Sequence, residues 1–336
     1  MAQTRSNTTV VVIGSNSFSG SDFVDLLLEE ATYKVVGISR SPEKSPLFLP
    51  YRRRSDLSRF TFHQLDVNRQ MPQLHQLLLS LRPSYIVNFA SQSEVATSWQ
   101  FPEQWFQTNA VALAELGNFL RKQSWLQRFV HISTPEVYGK SKNLLTEDAI
   151  FAPSTPYAAS RAAGEFMLRT LVQSFDFPLV VIRSANVYGA HQQLFKIIPR
   201  SFIYMKLGRR IPLENQGDQE RSFIHIRDVS RGELAAMERG VSGEAYHLAT
   251  PQMIRIRDLV HLLCEMGGVP FGPATQLVPA RMGSDPGYRL DTTKANATLN
   301  WSPQISLAEG ILKVRDWIHR EWPLISAEPL EYLHRP

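Results

Sequence analysis

Residues Thr8-Thr9-Val10-Val11-Val12-Ile13 form an unbroken β-branched run that stops at Gly14, and Phe23 to Leu28 follow with helical content and an acidic end. Such a segment reads as a strand, a glycine turn and a helix. Further strands are predicted at Lys34 to Ser39, Arg59 to Leu65, Tyr85 to Phe89, Phe129 to Ser133 and Leu179 to Arg183. The stretches between them, including Leu74 to Leu81 and Asn109 to Lys122, suit helices. Strands that alternate with helices pair through crossovers, which predicts an α/β architecture: a doubly wound parallel sheet covered on both faces.

After Tyr188-Gly189 the pattern breaks into shorter elements, with Pro and Gly clusters around Gly267 to Pro273 and Pro279 to Pro286. A smaller C-terminal lobe is expected there, closed by an amphipathic helix from Leu307 to about Arg320. The expected division is 1–185 for the sheet domain, with a return at about 225–250, and mainly 186–336 for the lobe. A chain of 336 residues with 43% hydrophobic content can bury a full core. No internal repeat or low-complexity tract interrupts it.

The first nine residues are polar with one Arg, and no apolar run approaches the roughly eighteen residues a bilayer span needs. A cytoplasmic protein without membrane association is the expectation. The single cysteine, Cys264, lies in an apolar run, fits a reducing compartment, and reads as a buried structural thiol. No metal site is expected. The net charge of +5 is modest, and the one dense basic run, Arg52-Arg53-Arg54, reads as a solvated loop. A nucleic-acid reader would need a larger basic face with interleaved aromatics, so the few cations favour a small anionic ligand.

Three segments carry chemistry. Gly14-Ser15-Asn16-Ser17-Phe18-Ser19-Gly20 follows the first strand and opens the first helix, the context a dinucleotide fingerprint requires. The second strand ends in Ser39-Arg40-Ser41 with no acidic residue in the turn. An Arg there accommodates a ribose 2′-phosphate, which points to NADP, with NAD as the alternative. Third, Ser133-Thr134-Pro135-Glu136-Val137-Tyr138-Gly139 precedes Tyr157-Ala158-Ala159-Ser160-Arg161. A cation four residues after a Tyr lies one helical turn away and favours the phenolate. Thr134 and Glu136 are expected to end a strand, facing the same way.

Together these segments resemble the extended short-chain dehydrogenase/reductase family, the NAD-dependent epimerases and dehydratases, and particularly its nucleotide-sugar 4,6-dehydratases. The resemblance spans roughly residues 8 to 320 and implies a Rossmann-like fold. It implies Thr134, Glu136, Tyr157 and Arg161 as catalytic residues. Gly14, Asn16, Ser17, Phe18, Gly20, Ser39, Arg40, Asp66, Val67, Phe89, Ala90, Ser91, Tyr157 and Arg161 would hold the cofactor, with Thr108-Asn109 near the same site. Ser93, Glu94, Thr134, Asn186, Lys196, Arg221, Arg281 and Asp285 would hold a nucleotide-diphosphate sugar. Asp291 and Asn300-Trp301-Ser302-Pro303 match its closing segments. Family members commonly dimerise through paired helices, here Thr108 to Gln123 and Tyr157 to Phe175, so a homodimer is expected.

The resemblance departs at four positions: Ser17 replaces a glycine, Pro135 stands where many 4,6-dehydratases carry an acid, Arg161 replaces Lys, and Met282 replaces Pro. In the family chemistry the Tyr takes the proton of the sugar 4-hydroxyl while hydride leaves C4, and the Glu then removes the C5 proton. A 4-epimerase, a 5,6-dehydratase or a decarboxylase would begin with the same oxidation. A silent dinucleotide-binding sensor or scaffold is the non-enzymatic alternative.

Overall fold

The computed structural model describes residues 8–30, 32–279 and 287–334. Seven parallel strands form one sheet: β1 (Thr8–Ile13), β2 (Tyr33–Ser39), β3 (Phe60–Gln64), β4 (Tyr85–Asn88), β5 (Arg128–Ile132), β6 (Leu179–Ser184) and β7 (Ala245–Leu248). Their spatial order is β7-β6-β5-β4-β1-β2-β3. Strand order reverses between β1 and β4, and in a doubly wound sheet the crevice at such a reversal is where ligands bind.

Alternation along β1 shows why the sheet is covered twice. Val10 and Val12 join one core with Phe23, Val24 and Leu27 of helix α1 (Phe18–Glu29). Val11 and Ile13 join another with Leu74 and Leu78 of α2 (Met71–Leu81), Leu113 and Leu116 of α3 (Ala112–Leu120), and Leu168 of α4 (Pro156–Phe175). With both faces buried, a strand must be apolar throughout, so these strands are legible as continuous runs.

A third core joins α5 (Ile197–Lys206), α7 (Ile256–Gly267) and α8 (Leu307–Arg320) through Ile198, Phe202, Leu259, Leu263, Val314 and Trp317. Between α5 and α7 in sequence, α6 (Ile226–Arg239) packs on α1 and leads into β7 at the sheet edge. Asp228 of α6 ties the layers together, accepting from the backbone N–H groups of Gln304 and Ile305 at 3.0 and 2.8 Å. The Trp301 indole donates to the Asp228 carbonyl. Asn300 adopts φ +48° at the end of helix Thr293–Leu299, a conformation Asn tolerates.

The basic run stays at the surface, with Arg52 and Arg53 exposed, but it is pinned. Pro50–Arg53 is a 3-10 turn, Arg54 pairs with Asp25 of α1 at 2.6 Å, and Arg53 pairs with Glu321 at 2.9 Å. Cys264 is buried in α7, where burial pushes its thiol up. No helix of the described residues is long and apolar enough to cross a membrane.

Candidate active site

A cleft of about 500 Å³ opens at the β1/β4 reversal, lined by Gly14, Asn16, Ser17, Ser39, Arg40, Asp66, Val67, Phe89, Ala90, Ser91, Ser93 and Glu94. Gly14 has φ +88°, and a Cβ there would meet the Ala90 nitrogen at 2.7 Å. Only glycine lets β1 pass this close to the chain leaving β4. Ser17 answers why the middle glycine is dispensable. It sits at φ −74°, ψ 163°, and its Oγ accepts from the Gly20 N–H at 3.0 Å, capping α1. Gly20 closes the turn, since a Cβ there would lie 2.4 Å from the Gly14 carbonyl oxygen. Phe18 begins α1 and does not line the cleft.

Asn16 fixes the second-strand turn. Its backbone N–H donates to Ser39 Oγ at 2.9 Å, and its amide donates to the Ser41 and Pro42 carbonyls at 3.0 and 2.8 Å. Arg40 is exposed on the cleft wall, beside Ser41, Lys44 and Ser45. Asp66 accepts from the Asn68 N–H at 2.8 Å, and Asn68 donates to Thr108 at 2.9 Å. Asn16 Oδ1 and Asn68 Oδ1 are buried without a hydrogen-bond partner among the described residues. Acceptors at a glycine-floored cleft beside a helix N-terminus suit a ligand carrying both phosphates and hydroxyl groups.

Thr134 and Glu136 do not end a strand. β5 stops at Ile132, and Thr134 instead N-caps a 3-10 turn, Pro135–Tyr138, accepting from the Glu136 N–H at 3.2 Å. Pro135 at the first turn position has no N–H to satisfy, which suits a helix start. Gly139, at φ +66°, ends the turn, because a Cβ would lie 2.0 Å from the Ala152 carbonyl oxygen. Thr155 caps α4 by accepting from Ala158 N–H at 3.1 Å, with Pro156 following. The Thr134 side chain reaches the Tyr157 phenol and favours its charged form.

Burial pushes the Tyr157 phenol up more than its neighbours pull it down. Arg161 lowers it, Glu136 raises it, the Thr134 hydrogen bond lowers it, and Glu94 raises it. The cation therefore acts in the expected direction, yet the net direction is upward. Arg161 is only 3% exposed and donates to the Ile132 carbonyl at the end of β5, while its Nε has no partner among the described residues. Nearby His131 is pushed down to about 3 by burial and then by Arg161, so it stays neutral.

The helix expected over Asn109 to Lys122 begins with a π turn, Gln107–Val111, before α3. The wider turn places Asn109 as a clamp. Asn109 Oδ1 accepts from Gln92 N–H at 2.9 Å, and its amide donates to the Gln92 carbonyl and Ser160 Oγ at 3.0 and 2.9 Å. Gly164 lets α4 approach that π turn, since a Cβ would lie 2.1 Å from the Asn109 carbonyl oxygen. The loop 89–94 of the cleft is thereby fixed to the helix that carries Tyr157.

Behind the tyrosine lies a buried charge network. Arg183 of β6 pairs with Glu165 of α4, Arg169 approaches the same carboxylate at 3.1 Å, and Ser133 donates to it at 2.8 Å. Burial opposes the Glu165 charge, but Arg183, Arg169 and Ser133 together hold the carboxyl below its usual range. Arg183 also donates to the Tyr138 hydroxyl, which lies 2.7 Å from His247 Nε2.

Asn186, Lys196 and Arg221 come together in a second recess of about 330 Å³, with Tyr188, Gln192 and Phe223. Asn186 and Arg221 donate to the Ser222 and Glu220 carbonyls at 3.1 and 2.8 Å. Lys196 pairs with Glu94 at 2.5 Å, joining this recess to the cleft. Arg281 and Asp285, like Met282, lie outside the described residues. Thr134, Glu136, Tyr157 and Arg161 line neither recess.

Sequence reading did not anticipate the Asn109 clamp, although Thr108-Asn109 was legible as a pair, or the part of the cleft wall formed by Gln193 and by 328–333. No local pattern marks segments that reach the cleft only through folding. Among the described residues, no group of three or more His, Cys, Asp or Glu gathers to hold a metal ion.

The model of the NAD dependent epimerase/dehydratase family matches residues 10–249. The dTDP-glucose 4,6-dehydratase of Streptomyces griseus is 32% identical over 250 residues, 73% of this chain and 76% of its own. The dTDP-glucose 4,6-dehydratase 1 of Escherichia coli (strain K12) is 27% identical over 342 residues, covering 92% of each. Among solved structures, the dTDP-glucose 4,6-dehydratase of Streptomyces venezuelae with NAD and TYD bound has a TM-score of 0.87 and 27% identity, covering 94% of this chain and 98% of that one. The UDP-glucose 4-epimerase of Thermotoga maritima with UDP-glucose has a TM-score of 0.85 and 25% identity, covering 94% and 100%. With its parallel sheet, its glycine turn at the strand-order reversal and its Thr134–Tyr157 pair, this chain belongs to the NAD dependent epimerase/dehydratase family.

Proposed function

We propose that the protein is a nucleotide-sugar 4,6-dehydratase. The observation that carries this reading is the grouping around the buried Tyr157 phenol of Arg161, one turn on along α4, and of Glu136 and Thr134 from one capped 3-10 turn. When bound, the dinucleotide supplies a hydride acceptor at C4 and later a hydride donor at C6. Tyr157 takes the proton of the 4-hydroxyl, Thr134 orients that hydroxyl, and Arg161 offsets the cost of a buried phenolate. Glu136 then removes the C5 proton, made acidic by the C4 ketone. Pro135 has no proton to give, so Glu136 itself passes its proton to the leaving C6 hydroxyl, water departs, and C5 takes a new proton from solvent when C6 is reduced.

In this reading 1–185, with the return at 225–250, hold the dinucleotide. Gly14, Asn16, Ser17, Gly20, Asp66, Val67, Phe89, Ala90 and Ser91 are its contacts, and the rest of 186–336 holds the sugar nucleotide. Asn186, Lys196 and Arg221 receive the diphosphate, with Arg bonding phosphate oxygens bidentately. Arg40, Ser39 and Ser41, with Lys44 beside them, support a 2′-phosphorylated dinucleotide. Arg40→Glu should weaken NADP binding and leave NAD binding less affected; equal losses would contradict the assignment.

Product analysis by mass spectrometry in deuterated water, with a panel of nucleotide sugars, tests the reaction. A product one water lighter that retains solvent deuterium supports dehydration. The second reading, a 4-epimerase, is favoured by Pro135 and by the likeness to the UDP-glucose 4-epimerase; it predicts an isomer of unchanged mass without deuterium. Exposed Val111, Phe166 and Phe175 on the expected pairing helices support a homodimer. A monomeric mass in light scattering would contradict the dimer.

A further inference from the structure

The cleft that contains Gly14, Ser17 and Arg40 has a wall from the far end of the chain: Glu328, Pro329, Glu331, Tyr332 and Leu333 line it. This segment is held on both sides of the cleft. Upstream, Leu330 packs against the core of α5, α7 and α8. Downstream, the His334 ring stacks on Phe101 at 5.3 Å and 4°, and on Trp105 of helix Pro102–Phe106 at 5.4 Å and 15°. That helix packs on α4, so its anchor belongs to the sheet domain. His334 Nε2 lies 2.8 Å from Gln104 Oε1, and His334 Nδ1 lies 3.1 Å from the Tyr332 hydroxyl. A neutral imidazole with its proton on Nε2 satisfies both contacts, donating to Gln104 and accepting from Tyr332.

Between the anchors, the Tyr332 ring meets Phe195 edge-on at 5.6 Å, next to Lys196. Burial pushes the Tyr332 phenol up, Glu94 adds to this, and Arg40 opposes it. Tyr332 therefore lies within electrostatic reach of the second-strand turn and of the Glu94–Lys196 pair between the two recesses. Half-buried Tyr332 and the 60% exposed Leu333 give this wall an apolar surface.

We infer that Glu328–His334 is a strap completing the dinucleotide site, with Tyr332 a contact residue that retains the bound cofactor. The inference rests on the dinucleotide reading above and explains a need of that chemistry. An enzyme that oxidises its substrate and then reduces it must hold the reduced dinucleotide between the two steps. Escape in mid-cycle would leave a keto sugar and an enzyme dependent on added cofactor.

Dissociation of NADP and NAD from the full-length protein, followed by nicotinamide fluorescence after displacement, tests the strap. Tyr332→Ala should speed dissociation roughly tenfold, the loss of one aromatic contact. His334→Ala, which frees one anchor, should have a smaller effect, and truncation after Leu330, which keeps the upstream anchor, should exceed both. The variants' activity should be restored by added dinucleotide. Unchanged dissociation in all three variants, with normal binding by the unaltered protein, would overturn the strap alone. Tighter binding after truncation would also overturn it, because the segment would then obstruct the cleft. Failure of the unaltered protein to bind either dinucleotide would overturn the dinucleotide reading and the strap with it.

Discussion

Two buried arginines stand near α4 and serve different ends. Arg183 has a carboxylate partner in Glu165 and a hydroxyl partner in Tyr138. Arg161, one turn before Glu165 on α4, has a single carbonyl acceptor and an Nε without a partner among the described residues. A buried charge costs several kcal/mol unless paired. Arg183 is thus a scaffold group whose charge is spent on holding β6, α4 and the Thr134 turn together. Arg161 is left under-satisfied beside the Tyr157 phenol, whose charged form it favours. The contrast is between a guanidinium whose donors the protein itself satisfies and one that keeps a donor unused beside Tyr157.

The largest effect that sharpens this contrast is expected at the phenol. Tyr157→Phe should lower kcat by about 10²–10⁴-fold, the usual worth of a general base, with little change in unfolding free energy. Arg183→Met should do the reverse. It should cost about 3–5 kcal/mol of stability in urea unfolding, because buried Glu165 loses its buried cation and keeps only the partly exposed Arg169 and Ser133. Glu165→Gln in the same chain should restore part of that loss.

Arg161→Met should change stability by no more than about 1.5 kcal/mol, the scale of one hydrogen bond. Because Arg161 lowers the Tyr157 phenol and the base must be deprotonated, its removal should move the rising limb of kcat/KM toward higher pH. A comparable stability loss at Arg161 and Arg183 would break the distinction. The smallest effect concerns acid. The folded Glu165 carboxyl is held below its unfolded range, so its stabilisation is present above about pH 4.3, the unfolded value, and is lost as pH falls through the folded value. Glu165→Gln should flatten that part of the acid-unfolding curve.

The strands were legible because both faces are buried, so β1, β2 and β4 to β6 read as β-branched or apolar runs. The glycine turn was legible because its position between strand and helix leaves few alternatives. The 133–139 segment misled, since Ser-Thr after an apolar run reads as more strand. Thr134 instead uses its side chain to cap a turn that Pro135 begins. Likewise the π turn at Gln107–Val111 has no pattern distinct from a helix, and only its Asn109 contacts reveal it. The Glu165–Arg183 pair joins residues 18 apart on different elements, and the strap meets the cleft across nearly the whole chain. Such contacts arise from topology, which short-range pattern does not encode.

The most direct test of the central claim is rapid mixing of the dinucleotide-loaded enzyme with the nucleotide sugar it converts, following nicotinamide reduction in the unaltered protein and in Tyr157→Phe. Reduction that rises and decays within one turnover, and that disappears or slows by at least about a hundredfold in the variant, is the predicted result. Equal reduction in both proteins, or product formation without any reduction, would contradict Tyr157 as the base of a C4 oxidation.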